Sequence, residues 1–200
     1  MIVEIALILV SYLVGAIPFG LLVGRIAGAD VRREGSGNIG ATNVGRVLGK
    51  KLGVLTLVCD VAKGFLPVCG AALMLPPTTA AREMIVVMCG LAAVVGHMFP
   101  VYLKFNGGKG VATALGVFLF VSPWSILISV ILFVAAVAGS GYVSVGSLTA
   151  TALLPMWLWI FGASPGNQVV AVIIVLLIWF KHRSNIGRLR RGEEKGWKKG

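Results

Sequence analysis

Polarity along this chain changes in long blocks rather than with the short period of a water-facing fold. Apolar runs over 3–24, 52–75, 84–103, 145–162 and 165–182 approach the roughly 20 residues that a helix needs to cross a hydrocarbon core. A further apolar stretch, 111–139, is interrupted only by Ser122-Pro123. A proline there either kinks one long helix or separates two shorter ones. The segments between the runs are polar, glycine-rich and basic.

Charge decides between one helix and two. Segment 25–51 carries Arg25, Arg32, Arg33, Arg46, Lys50 and Lys51, and segment 100–110 carries Lys104 and Lys109. The tail carries Lys181, Arg183, Arg188, Arg190, Arg191, Lys195, Lys198 and Lys199, so only Lys63 and Arg82 of 18 basic residues lie elsewhere. Basic clusters beside membrane helices stay in the cytoplasm. A single crossing by 111–139 would carry the tail outside, whereas two, 111–121 and 123–139, return it inside. The expected fold is therefore an all-α integral membrane protein with about seven transmembrane helices. Its N-terminus is outside, its C-terminus and basic tail 183–200 are cytoplasmic, and residues 1–200 form one polytopic domain. Helix 111–121 would be only about 16 Å long, so its neighbours must shelter it or it must tilt.

Composition supports lipid as the solvent. Hydrophobic residues make up 58% of the chain, charged residues 12%, and mean hydropathy is +0.95. A soluble domain carries about a quarter charged residues. The first run has Glu4 as its first charge and is too long for a cleaved signal peptide, so it reads as an uncleaved helix. Cys59, Cys69 and Cys89 lie in apolar runs without metal spacing and read as small buried hydrophobes. No linker could hold a soluble domain, which confines any chemistry to the cytoplasmic membrane surface. The expected partners include membrane lipid and no nucleic acid.

Three polar segments could carry that chemistry. Segment 30–46 concentrates Gly35, Ser36, Gly37, Asn38, Gly40, Thr42, Asn43 and Arg46. Glycines there would let backbone amides approach a phosphate. Gly35, Gly37 and Gly40 match GxGxxG, but no βαβ unit fits between membrane helices, so a dinucleotide fold is rejected. In segment 96–113, Lys109 stands among Gly107, Gly108 and Gly110 at the start of a short helix, combining a point charge with the positive helix end. The third segment, 181–194, holds His182, Asn185 and several arginines. The turn with Ser144 and Ser147 has hydroxyls but no charge and is a lesser candidate. Glu193 and Glu194 stand alone in a basic tail, and no carboxylate cluster suggests a metal. The far tail, Lys195 to Lys199, reads as a lipid-surface anchor.

His97 and His182 sit near helix ends, where either could be a general base or simply a capping group. Asp60 and Lys63 lie one turn apart inside an apolar helix. Such charges are functional suspects, or a mutually neutralising pair that holds helices together.

Together, GSGNIGATN at 35–43, GHMFPVYLKFNGGKGVAT at 96–113 and KHRSNIGRLRRGEE at 181–194 resemble the bacterial PlsY family. Length, the DVAKG of the second helix and the order of the motifs agree. The resemblance implies an inner-membrane enzyme of phospholipid synthesis that moves a fatty acyl group from acyl phosphate to the 1-hydroxyl of sn-glycerol 3-phosphate. Lysophosphatidic acid and phosphate would be the products, with no cofactor. By motif match, Ser36, Arg46, Lys109 and Asn185 would hold the glycerol phosphate, and Asn38, Thr42 and Asn43 would shape the pocket. His182 would orient or polarise a substrate; Ser36, Lys109, His182 and Asn185 form the expected catalytic set. His97, Gly108, Gly110, Ser144, Ser147 and Glu194 are secondary candidates. The His-x4-Asp pair of soluble-type acyltransferases is absent, since Tyr102 follows His97 by five and Gly187 follows His182 by five. The competing reading is a small-anion membrane transporter using the same basic loops and Asp60–Lys63. Transport sites favour broken helices near the midplane within internal repeats, whereas here the polar residues crowd one face.

Overall fold

The computed structural model describes residues 2–79 and 81–197. Lys198 and Lys199 of the expected surface anchor lie outside the described residues. Ten α-helices are found among the described residues: α1 (Ile2–Gly15), α2 (Phe19–Ile26), α3 (Ala41–Leu48), α4 (Lys50–Met74), α5 (Arg82–Met98), α6 (Val111–Val121), α7 (Pro123–Ser140), α8 (Val143–Ile160), α9 (Pro165–Lys181) and α10 (Arg183–Arg190). A 3-10 turn at Val101–Leu103 follows α5. The chain forms two compact units, Met1–Phe120 and Val121–Gly200.

Five stretches are long and apolar enough to span a membrane: Ile2–Ile26, Lys50–Met74, Arg82–Leu103, Pro123–Ser140 and Val143–Ile160. The α9–α10 pair, bent by 54°, makes a sixth if it is one span, and α6 is a shorter apolar helix. Leucines such as Leu9, Leu73 and Leu176 are exposed on the outside of these helices, as a lipid solvent permits.

In the first unit, the expected helix 3–24 is broken into α1 and α2. Pro18 has no N–H to give the carbonyl four residues back, and the ladder, which runs to Ala16 N on Tyr12 O, breaks over Ile17–Phe19. The break leaves the Ile17 carbonyl to accept from Phe19 N at 3.1 Å and from Lys63 Nζ at 2.9 Å. A second departure is α3, a helix inside what reads as an open linker; Gly49, at φ +89°, separates it from α4. The expected helix 84–103 stops at Met98, because Pro100 cannot continue it.

Small residues let these helices approach closely, the usual solution where lipid supplies no hydrophobic drive for association. A Cβ at Gly15 would strike the Ala93 backbone, one at Gly96 the Tyr12 carbonyl, one at Gly64 the Thr113 carbonyl and one at Gly116 the Val61 carbonyl. The α1, α4, α5 and α6 backbones therefore touch with little between them. Tyr12 adds a polar tie, its hydroxyl donating to Phe99 O at 2.8 Å.

In the second unit, α7 begins at Ser122-Pro123, with proline in the first turn where its missing N–H costs nothing. Ser122 Oγ and Ser125 Oγ lie 2.7 Å apart. Gly141, left-handed at φ +80°, ends α7, and its amide donates to Val137 O. Ser164 caps α9 through Asn167 N, with Pro165 in the first turn. The segment after His182, expected only as a basic tail, winds into α10 and then folds back, Trp197 N donating to Gly141 O at 2.7 Å.

Candidate active site

The segment 30–46 is organised around one side chain. Asn43, on α3, is buried; its Oδ1 accepts from Ser36 N at 2.7 Å. Its Nδ2 donates to Val31 O at 2.8 Å and Glu34 O at 3.2 Å. A neutral amide is needed, since only it both accepts and donates. A Cβ at Gly35 would strike Asn43 Oδ1, and Gly35 and Gly37 adopt φ +62° and +71°, which glycine tolerates without strain. Asn38 Oδ1 accepts from Gly40 N at 2.8 Å, an Asx turn that leads into α3. Underneath, Val31, Ile39 and Val44 pack with Leu21 and Val23 of α2.

Ser36 and Thr42 are exposed and Arg46 is half-buried. Thr42 and Arg46, four residues apart on α3, share a helix face. At the edge of the segment, Asp30 holds Arg32 with an Nη2–Oδ2 distance of 2.6 Å. The hydrogen bonds of Arg32 keep the Asp30 carboxyl well below the usual carboxylate range.

Lys109 rides on a loop fastened to the end of α5. Gly107 N donates to Met98 O at 3.2 Å and Gly108 N to His97 O at 3.0 Å. A Cβ at Gly108 would enter the His97 imidazole at Nε2, and Gly110 takes φ +84° against Met98. Glycine is thus required at 108 by contact and at 110 by backbone angle. On its other side, His97 Nδ1 lies 3.6 Å from Asp60 Oδ1, and Lys63 Nζ is 3.0 Å from the same oxygen. All three side chains are buried.

The second unit supplies the third motif. His182 is buried at the junction of α9 and α10, with Nδ1 2.8 Å from Ile178 O. A carbonyl only accepts, so Nδ1 carries the hydrogen; in the neutral ring the lone pair then belongs to Nε2. Asn185 Nδ2 donates to Glu194 Oε1 at 2.5 Å and Arg188 Nε to Glu194 Oε2 at 2.7 Å. The carboxylate must be met by a donor, which fixes the amide orientation. Asn185 Oδ1 is then buried without a hydrogen-bond partner among the described residues.

Burial alone would raise the Glu194 pKa. The hydrogen bonds from Asn185 and Arg188 outweigh it and hold the carboxyl below its ordinary value. Glu194, read from sequence as standing alone, is thus the tie between the tail and α10. Glu193 is likewise paired, with Arg191 at 2.7 Å. Ser147 Oγ donates to Val143 O at 3.0 Å within its own helix, an ordinary structural use of a helical serine.

Within the first unit, the structure gathers Ser36, Asn38 and Asn43 into one turn and sets Arg46 on the helix that follows. It places His97 against Gly108 rather than by itself at a helix end. Sequence reasoning missed the Ile17 carbonyl and the Tyr12–Phe99 tie. Pro18 and Pro100 were the available signals for both. Among the described residues, no group of three or more His, Cys, Asp or Glu could hold a metal ion.

An all-α membrane protein whose polar segments combine fixed glycine turns, half-buried cations and a buried histidine belongs to the class of membrane enzymes acting on anionic substrates. The family model described as glycerol-3-phosphate acyltransferase matches residues 5–192. The glycerol-3-phosphate acyltransferase of Desulfotalea psychrophila is 62% identical over 96% of both chains; that of Geobacter sulfurreducens is 45% identical over 98% of both. The crystal structure of PlsY, an integral membrane glycerol 3-phosphate acyltransferase, in its glycerol 3-phosphate form superposes with a TM-score of 0.90 at 41% identity, covering 96% of this chain and 94% of that one. Its lysophosphatidic acid form gives 0.89. The chain belongs to the PlsY-type glycerol-3-phosphate acyltransferase family. It is accordingly a multi-pass membrane acyltransferase, and one acyl group placed on glycerol 3-phosphate makes its product lysophosphatidic acid.

Proposed function

We propose that the acyl donor is a fatty acyl phosphate and that the 1-hydroxyl of sn-glycerol 3-phosphate attacks its carbonyl carbon. The new C–O ester bond forms as the C–O bond to phosphate breaks; inorganic phosphate leaves with the electron pair, and the hydroxyl proton passes to a substrate phosphate oxygen. An acyl phosphate is a mixed anhydride with a good leaving group, so the reaction needs positioning and charge stabilisation more than a strong protein base. The observation that carries this reading is a buried Asn185 Oδ1 without a hydrogen-bond partner among the described residues, three residues after a His182 ring held through Nδ1. The amide oxygen is an acceptor, suited to a hydroxyl hydrogen rather than to a phosphate oxygen. Asn185, which the resemblance set among the phosphate-holding residues, accordingly accepts from a glycerol hydroxyl instead, His182 orients or polarises a substrate, and Ser36, Arg46 and Lys109 hold phosphate. Asn43 and Asn38 set the turn that carries Ser36, Gly108 and Gly110 shape the Lys109 loop, and Thr42 helps to shape the phosphate pocket.

In this reading the chain crosses the membrane seven times, α6 included, with its N-terminus outside and its C-terminus in the bacterial cytoplasm. The three basic clusters support that orientation. Purified protein in lipid, given palmitoyl phosphate and glycerol 3-phosphate, should release phosphate only when both are present. Palmitoyl-CoA or an acyl carrier protein thioester should not replace the donor; turnover with either in place of acyl phosphate would overturn the donor assignment.

A further inference from the structure

Among the described residues of the first unit, Asp60, Lys63 and His97 are the buried acidic and basic side chains, and the transfer described above uses none of them directly. Charges at this depth are costly unless paired, and burying them is a poor route to stability alone. Their contacts run toward the loop that carries Lys109. Asp60 Oδ1 holds Lys63 Nζ at 3.0 Å and faces His97 Nδ1 at 3.6 Å. Lys63 reaches back to Ile17 O at 2.9 Å, at the α1–α2 break, and lies over the Phe19 ring. The opposite edge of the His97 ring fills the space a Gly108 side chain would need. His97 O and Met98 O take the Gly108 and Gly107 amides. Lys109 follows immediately.

We propose that Asp60, Lys63 and His97 are positioning residues for substrate binding. The ion pair fixes the imidazole from below, and the imidazole sets the height of the glycine loop and so the placement of the Lys109 ammonium. The proposal rests on the reading of Lys109 as a phosphate ligand. It explains why the histidine side chain, and not only its carbonyl, abuts the loop. It also explains why the pair lies within one helix turn of Gly64, where α4 touches α6 at Thr113, the helix that the loop enters.

The test uses the full-length protein in lipid nanodiscs. Asp60→Asn combined with Lys63→Met removes both charges at once and leaves no unpaired ion. Its KM for glycerol 3-phosphate should rise on the order of tenfold, the scale expected of a sub-ångström displacement of a binding group, while KM for palmitoyl phosphate and the unfolding midpoint stay near wild type. Amide hydrogen exchange at 106–110 should quicken in the same variant. Adding Lys109→Ala should produce no further rise beyond that of Lys109→Ala alone, because both act through one ammonium. Wild-type KM with wild-type exchange would overturn the proposal, as would full additivity with Lys109→Ala. If Lys109→Ala by itself leaves KM unchanged, the phosphate-ligand reading fails, and exchange at 106–110 alone then decides whether the cluster positions the loop. Should the charge-free variant not fold, His97→Leu, which keeps the ion pair, supplies the same readouts, with His97→Gln expected to recover part of the loss.

Discussion

Replacing Asn43 by alanine probes how the turn bearing Ser36 is held. The substitution removes three hydrogen bonds, from Ser36 N and to Val31 O and Glu34 O. A hydrogen bond is worth about 1 kcal/mol net, and a buried carbonyl left without its donor costs somewhat more. The bond to Val31 O is buried and the other two are partly buried, so the expected destabilisation is about 2–4 kcal/mol. Ser36 is exposed and loses its backbone anchor, so KM for glycerol 3-phosphate should rise on the order of tenfold. Asn43→Asp sharpens the test. It keeps an acceptor for Ser36 N but turns an anion toward two carbonyls. At neutral pH it should be at least as destabilising as alanine, and it should recover in acid, where a protonated carboxyl can donate again. The assays are thermal unfolding in lipid and phosphate release against glycerol 3-phosphate concentration. An aspartate variant as stable as wild type at neutral pH, or an alanine variant with wild-type stability and KM, would refute this reasoning.

Further outcomes follow from single contacts elsewhere. Tyr12→Phe loses the bond to Phe99 O and should lower stability by about 1 kcal/mol without changing KM, as unfolding and kinetic measurements would report. Gly64→Val forces a side chain into the Thr113 carbonyl; a loss of at least 1–3 kcal/mol, roughly the cost of overpacking, should appear in unfolding. Glu194→Ala should free the tail, seen as faster proteolysis after Arg191, while Glu194→Gln keeps part of the tie to Arg188 and should lie between. Because the folded Glu194 carboxyl is held below its ordinary value of 4.5, its stabilisation is complete above that pH and is lost as pH falls through the lowered value. Wild type and Glu194→Gln should therefore converge in stability only in acid, as unfolding curves at a series of pH values would show.

Much of the fold was legible because its driving pattern is coarse. Apolar runs of membrane length need no packing detail, and the end of α6 and the start of α7 are written in the single dipeptide Ser122-Pro123. The breaks at Pro18 and Pro100 were less legible. A proline inside an apolar run can kink a helix or end it, and which occurs depends on who receives the freed carbonyl. For Ile17 the receiver is Lys63, 46 residues later. Helix α3 was hidden for a different reason. Ala41–Leu48 is short and glycine-containing, and it is stabilised by burial of Val44 against Leu21 and Val31 more than by propensity. The residue types of the site stood out, since glycine, asparagine and lysine in one loop have few other uses. Their support did not. That Asn43 ties the turn, that Glu194 binds Asn185, and that His97 bears on Gly108 are long-range facts which no local spacing encodes.

The central claim is that Lys109, Ser36 and Arg46 hold the phosphate of glycerol 3-phosphate while acyl transfer proceeds. Its most direct test is equilibrium binding of glycerol 3-phosphate to the protein in lipid nanodiscs without acyl donor, comparing wild type with Lys109→Ala. The account predicts saturable binding that weakens on the order of tenfold or more in the variant, as expected for loss of a charge-assisted phosphate contact. Equal affinity in the two proteins, both folded, would contradict it.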